Sequence, residues 1–185
     1  FDHSFNASVG VNGTPNNGSP GLEFISGKMN TATDFDGLDD NITFASPTMP
    51  KLSLSAWVKL DGFTNFYPRI IDINGGTFAV WVAQHSAPYG VEPVSIEIRA
   101  YHDGSGTKGF WYSPGNTIQL GQWHHVAISY DSTPSLDIPT LVVDGVEVPL
   151  ATRHPASGTF DNTAGTTYIG DWVVAASRNW DGQMD

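Results

Sequence analysis

Cysteine is absent from the 185 residues, which excludes disulfides, thiolate metal sites and a cysteine nucleophile. Cations are scarce: eight Lys and Arg stand against nineteen Asp and Glu, a formal charge of −11. A chain so charged repels phosphate backbones and anionic lipid, so neither nucleic acid nor membrane insertion is expected. No apolar run approaches the ~18 residues that a membrane-spanning helix needs. Glu is rare too, at four against fifteen Asp. Asp favours turns, caps and hard-cation sites, where Glu would populate helix surfaces. An initial Met is also missing, and the chain begins at Phe1 with no leader pattern. A domain excised from a longer protein is therefore expected.

What is present points one way. Ten Phe, six Trp and six Tyr within a 39% hydrophobic composition describe a chain that packs a core. Its length suits one domain spanning 1–185, with no internal repeat or linker. Twenty Gly and twelve Pro imply short strands joined by many turns.

The strands announce themselves by parity. In KLSLSAWVKL, Leu52, Leu54, Ala56, Val58 and Leu60 fall on one face, and Ser53, Ser55, Trp57 and Lys59 on the other. That alternation is the mark of a strand with one buried face. From Val94 to Tyr101, Val94, Ile96, Ile98 and Ala100 turn inward, while Ser95, Glu97, Arg99 and Tyr101 turn outward. TFAVWVA (Thr77 to Ala83), QWHHVAISY (Gln122 to Tyr130) and TLVV (Thr140 to Val143) are further strands. HHVAISY is apolar enough to be covered on both faces. Asp144-Gly145, between two short apolar runs, predicts a two-residue type I′ hairpin. Ten to twelve short strands and no amphipathic helix make the fold class all-β.

Six segments in order carry a family resemblance: FDGLDDNITF (Phe35 to Phe44), LSLSAWVK (Leu52 to Lys59), QWHHVAISYD (Gln122 to Asp131), LVVDGVEV (Leu141 to Val148), YIGD (Tyr168 to Asp171) and WDGQMD (Trp180 to Asp185). Together they resemble the laminin G-like, concanavalin A-like lectin/glucanase superfamily, and within it the bacterial LamG-like jelly roll. The resemblance implies a two-sheet antiparallel β-sandwich in jelly-roll topology. It also implies a secreted or cell-surface setting, with neighbouring domains in a multidomain protein. WDGQMD looks like the start of the family's last strand, so an unfinished strand with an open sheet edge is expected.

The fold hosts lectins, adhesion modules and polysaccharide-cleaving enzymes, so function has to be argued from residues. Glycoside hydrolysis needs two carboxylates flanking the bond. The nearest approach to the glucanase pattern is Glu97-Ile98-Arg99-Ala100-Tyr101, which offers one acid followed by a cation and a phenol. Glu97 and Arg99 then read as solvated cross-strand partners. Arg99, Tyr101 and His102 only faintly resemble the arginine and Tyr/His couple of the fold's polysaccharide lyases. His124 and His125 are adjacent on a strand and point to opposite faces, which disfavours a shared metal.

Calcium takes six to eight oxygen ligands, often from Asp-rich loops. Such residues gather at Asp2, at Asp36, Asp39 and Asp40, and at Asp181 and Asp185. The resemblance implies that the terminal segments lie together with a calcium ion bridging them, and Asp2, Asp36 and Asp185 are then its ligands. The same residues would serve equally as turn caps beside their Gly neighbours.

Sugar recognition uses aromatic faces with a few polar groups to fix the hydroxyls. The aromatic candidates cluster between residues 66 and 112, Phe66-Tyr67 and Phe110 among them; Trp111, Tyr101, Tyr112 and Trp81 are the leading contacts, with Arg99 on the outward face of its strand. Ala79 and Ala83 beside Trp81 are small enough to leave its ring open. The leading reading is a non-catalytic extracellular module that binds a glycan or adheres to a surface, stabilised by calcium. A structural or protein-interaction module is the alternative. A polysaccharide lyase or glycoside hydrolase is a third reading, and the missing acid pair counts against it.

Overall fold

The computed structural model describes residues 14–16, 22–46, 48, 50–84, 94–102, 107–133, 137–161, 163–172 and 178–185. Among them are fifteen strands: β1 (Thr14–Asn16), β2 (Glu23–Ser26), β3 (Thr31–Asp36), β4 (Asn41–Ser46), β5 (Lys51–Leu60), β6 (Arg69–Ile73), β7 (Phe78–Ala83), β8 (Ser95–His102), β9 (Thr107–Tyr112), β10 (His124–Asp131), β11 (Thr140–Val143), β12 (Val146–Val148), β13 (Ala151–His154), β14 (Gly165–Ile169) and β15 (Asp181–Met184). A single 3₁₀ turn, Asn74–Gly76, joins β6 to β7. No helix among the described residues is long and apolar enough to cross a membrane.

The strands form two antiparallel sheets, the sandwich expected of a jelly roll. One has eight strands in the order β1-β4-β14-β6-β7-β8-β9-β13, the other seven in the order β12-β11-β10-β5-β15-β3-β2. Their facing sides make one core. Leu52, Val58 and Leu60 of β5, with Val126, Ile128 and Tyr130 of β10, meet Phe78, Val80 and Val82 of β7 and Ile96, Ile98 and Ala100 of β8. The parities of β5 and β8 are those the sequence predicts. In β10 the outward residues are Ala127 and the exposed Ser129, so that strand is covered on one face rather than two.

Local geometry follows the turn residues. Asp144 and Gly145 both adopt positive φ, 52° and 81°, and close the β11–β12 hairpin as a type I′ turn. Gly170 of YIGD sits at φ 84°. A Cβ there would run into the Phe35 ring, so glycine lets the β14 end lie flat on the core.

β15 does not lie at an edge. It pairs with β3 on one side and β5 on the other, and Asp185 continues the ladder by exchanging both backbone hydrogen bonds with Trp57 (2.8 and 2.9 Å). The open edge expected at this segment is replaced by a central position in the sheet.

Candidate functional site: an arginine and aromatic pocket

Residues directly opposite in an antiparallel ladder share a face. Two cross-strand rows therefore define the outer side of the eight-stranded sheet. One runs Asp72, Ala79, Arg99, Phe110 and His154; the other runs Arg69, Trp81, Glu97 and Tyr112. The loop before β6 adds Tyr67, and the segment before β15 adds Arg178. Together with Lys108 and Arg153 these side chains line a cavity of about 240 Å³.

A second, smaller hydrophobic cluster forms its floor: Ala79, Trp81 and Phe110, with Tyr67 packed against them. Trp81 and Phe110 stack at 5.7 Å, and Tyr67 meets the Trp81 ring edge-on at 6.4 Å. The indole Nε1–H donates to Glu97 Oε2 at 2.6 Å. Glu97 is 1% exposed, so it is a buried partner of Trp81 and not the solvated charge that the sequence suggests. Trp81 itself is 6% exposed. Its small neighbours do not leave the ring open, because Phe110 and the Arg69 guanidinium, 4.3 Å from its centroid, cover it.

All four arginines of the chain reach this pocket, and each lies on an aromatic face. Arg69 is over Trp81; Arg99 lies between Trp81 (5.5 Å) and Tyr101 (4.7 Å); Arg153 is over Phe110 (5.4 Å); Arg178 lies between Tyr67 (4.9 Å) and Trp172 (5.1 Å). Gly76, at φ 96°, makes room for Arg99: a Cβ there would strike the guanidinium. Arg69 also pairs with Asp72 at 3.3 Å, both fully buried. Burial opposes both charges, and it pushes the Asp72 carboxyl up to about 6 although the Arg69 and Arg99 guanidinium groups pull it down. Burial, and next the repulsion from Arg99, lowers the Arg178 pKa.

The other candidates divide. Trp111 is 1% exposed and belongs to the core, because it pairs with the inward Ile98; it cannot stack on a ligand. Tyr101 and Tyr112 are half-buried on the outer face, where Tyr101 supports Arg99, and neither lines the cavity. His102, one residue from Tyr101, points inward, bonded to the Tyr130 hydroxyl at 3.0 Å. Strand parity thus separates it from Arg99 and dissolves the lyase-like set. His124 is held by Asp144 at 2.7 Å and His125 packs on Trp57 at 5.2 Å, the opposed placement that adjacency predicts.

Asp36, Asp39 and Asp40 do come together, with one carboxylate oxygen from each within 4.8 Å of the others. Asp36 Oδ1 accepts from the Leu38 N–H at 2.8 Å, while its Oδ2 is buried with no hydrogen-bond partner among the described residues. Hard oxygen donors so arranged suit a calcium ion. Asp185 is elsewhere. The register sets Asp181 opposite Asp36, and Asp185 lies four residues further, about 13 Å along the strand, where its carboxylate accepts from the Met29 N–H at 2.6 Å. One ion cannot bind both Asp36 and Asp185. Asp2 lies outside the described residues.

Residues 35–185 match a laminin G-type family described as the concanavalin A-like lectin/glucanases superfamily, and the chain belongs to it. No curated protein matches the chain in sequence. Among solved structures the fold is similar to domain 4 of an extracellular arabinanase from Geobacillus stearothermophilus in complex with arabinotriose, at 18% identity and a TM-score of 0.56, covering 98% of this chain and 85% of that one. It is also similar to a heptameric SAP-like pentraxin from Limulus polyphemus, at 14% identity and a TM-score of 0.58, covering 83% and 72%. A third is the CBM40 of the Ruminococcus gnavus IT-sialidase bound to alpha2,3 sialyllactose, at 11% identity and a TM-score of 0.51, covering 72% and 73%.

Tyr67 and Phe110 belong to the aromatic cluster that the sequence offers, whereas sequence reasoning missed Arg69, Lys108, Arg153 and Arg178. A usable signal existed: Arg99 and Tyr101, and Lys108 and Phe110, stand two apart on their strands, so each cation has an aromatic on its own face. In a chain with eight cations in all, that spacing is conspicuous.

Proposed function

We propose that the protein is a non-catalytic glycan-binding module of an extracellular or cell-surface protein, and that the pocket on the outer face of the eight-stranded sheet receives the sugar. The observation that carries this reading is the pocket's lining: planar donors fixed on aromatic faces around a cavity of about 240 Å³. Guanidinium forks supply the directional hydrogen bonds that hydroxyl-rich ligands need. The sugar complexes of the arabinanase domain and the sialidase CBM40 support the same reading. A flat apolar face would have favoured the structural or protein-interaction alternative.

Catalysis is not part of this proposal. Glu97 is the single carboxylate among the described residues lining the cavity, and glycoside hydrolysis normally needs two. The test is affinity gel electrophoresis against soluble neutral and acidic polysaccharides. At least one is expected to retard the protein, and Tyr67→Ala is expected to weaken that retardation at least tenfold. A protein that migrates unretarded through every polymer would hand the lead to the structural reading.

Calcium enters as a stabiliser held by Asp36, Asp39 and Asp40, remote in function from the pocket. Excess calcium should raise the midpoint of thermal unfolding by about 5–10 °C, the shift that ~2.7 kcal/mol of ligand linkage gives a domain of this size. EDTA should abolish the rise, and Asp36→Asn should make the midpoint insensitive to both. An equal response in that variant would place the ion elsewhere.

A further inference from the structure

The arginine pocket takes an anionic sugar: we infer that its ligand is a polysaccharide bearing carboxylate or sulfate groups, and that Arg99, Arg178 and Lys108 bind the oxyanion. This rests on the glycan-binding reading and narrows it.

Charge distribution is the first observation. Five of the chain's eight cations line one cavity, in a protein whose net charge is −11. Two carboxylates accompany them, Glu97 in the wall and Asp72 beneath, so five positive charges against two negative leave about +3 locally. Like charges repel, and the crowding of Arg99 against Arg178 already lowers the Arg178 pKa, after burial. Such a concentration is unfavourable by itself and becomes favourable when an anion enters.

The second observation is how the arginines are held. Arg69 pairs with Asp72, but neither Arg99 nor Arg178 makes an ion pair among the described residues. Arg99 rests on Trp81, Tyr101 and the bare backbone of Gly76; Arg178 rests on Tyr67 and Trp172. An aromatic face orients a guanidinium without neutralising it. A carboxylate partner would do both. These two forks are therefore preorganised and keep their charge for a ligand. A carboxylate or sulfate presents paired oxygens to such a fork, which a neutral hydroxyl does not. Lys108 is exposed on β9, at the rim.

The aromatic arrangement argues the same way. Neutral sugars are commonly bound on an open indole or phenol face, and Trp81 at 6% exposure offers none. What the pocket offers instead is charge.

The test is affinity electrophoresis and titration calorimetry of the intact chain against polygalacturonate and alginate (carboxylate), chondroitin sulfate and dextran sulfate (sulfate), and linear arabinan and pullulan (neutral). At least one acidic polymer is expected to bind tenfold or more tighter than either neutral one, with affinity falling between about 50 and 300 mM NaCl. The carboxylate and sulfate arms identify which oxyanion is preferred. Arg99→Gln and Arg178→Gln should each cost tenfold or more. Lys108→Gln, at an exposed position that does not threaten the fold, should cost about threefold, and Lys51→Gln, paired with Asp131 elsewhere, should change nothing. Neutral polymers binding as tightly as acidic ones would overturn the inference and leave the glycan-binding reading standing. Acidic polymers binding equally to wild type and to the Arg99 and Lys108 variants would also overturn it. Binding to no polymer at all would sink both.

Discussion

Replacing Asp72 by asparagine is expected to lower the unfolding free energy by about 3–5 kcal/mol at neutral pH, the usual cost of leaving one half of a buried ion pair. The asparagine side chain would fill the same space, so the loss comes from charge and not from a cavity. Arg69 and Asp72 are both fully buried, and the Arg69 guanidinium would keep its proton with no counter-charge. Urea unfolding at several pH values checks this and adds a second expectation. The folded Asp72 carboxyl is pushed up to about 6 from an ordinary 3.8, chiefly by burial. Between those values the folded state holds a proton that the unfolded state has released, so Asp72's contribution to stability is full below about 4 and declines as pH rises through 6. The asparagine penalty should accordingly grow as pH falls from 7 to 5, because the wild type gains stability on taking up that proton and the asparagine variant does not. The double variant Arg69→Met with Asp72→Leu should recover most of the loss, since a buried pair replaced by apolar groups is often neutral. A single variant as stable as wild type at pH 7 would show that the pair is not buried as described.

Trp111→Ala is the second large effect. Trp111 is enclosed between the sheets, its ring 5.6 Å from Tyr130, with Gly109 shaped to pass beneath it. Truncation should cost about 3–5 kcal/mol, the range for large aromatics in cores. Tyr112→Ala, one residue on and half-exposed on the opposite face, should cost about 1 kcal/mol or less. The two are separated by urea titration, with polysaccharide binding of Trp111→Ala measured well below its midpoint. There it should bind like wild type. Loss of binding in a folded Trp111 variant would return that residue to the site.

That pair of tryptophan and tyrosine marks where the sequence was legible. Strands with alternating apolar residues disclose their own parity, and β5 and β8 face as predicted. Phe110-Trp111-Tyr112 has no polar residue to set its phase, so its parity depends on pairing with β8, where Ile98 draws Trp111 inward. Asp144-Gly145 was legible because its φ requirement is local. The arginine pocket was not, since it gathers Arg69, Arg99, Arg153 and Arg178 from β6, β8, β13 and the segment before β15. Only the sheet order brings these together. The separation of Asp36 from Asp185 likewise follows from one register, Asp36 opposite Asp181, that no local pattern declares.

The position of β15 also governs how the molecule assembles in time. It is the sole bridge between β5 and the β3–β2 pair among the described strands, and its contacts reach far back: Gln183 to Asp34 spans 149 residues, and the Trp180 indole to the Lys59 carbonyl spans 121. The β2–β3 hairpin can close on its own, but it has no route onto the rest of its sheet until this distant strand arrives. Loops that long are entropically slow to close. Refolding is therefore expected on the millisecond-to-second scale typical of sandwiches, with residues 23–36 acquiring hydrogen-exchange protection together with residues 181–184 and after the β5–β10 pair.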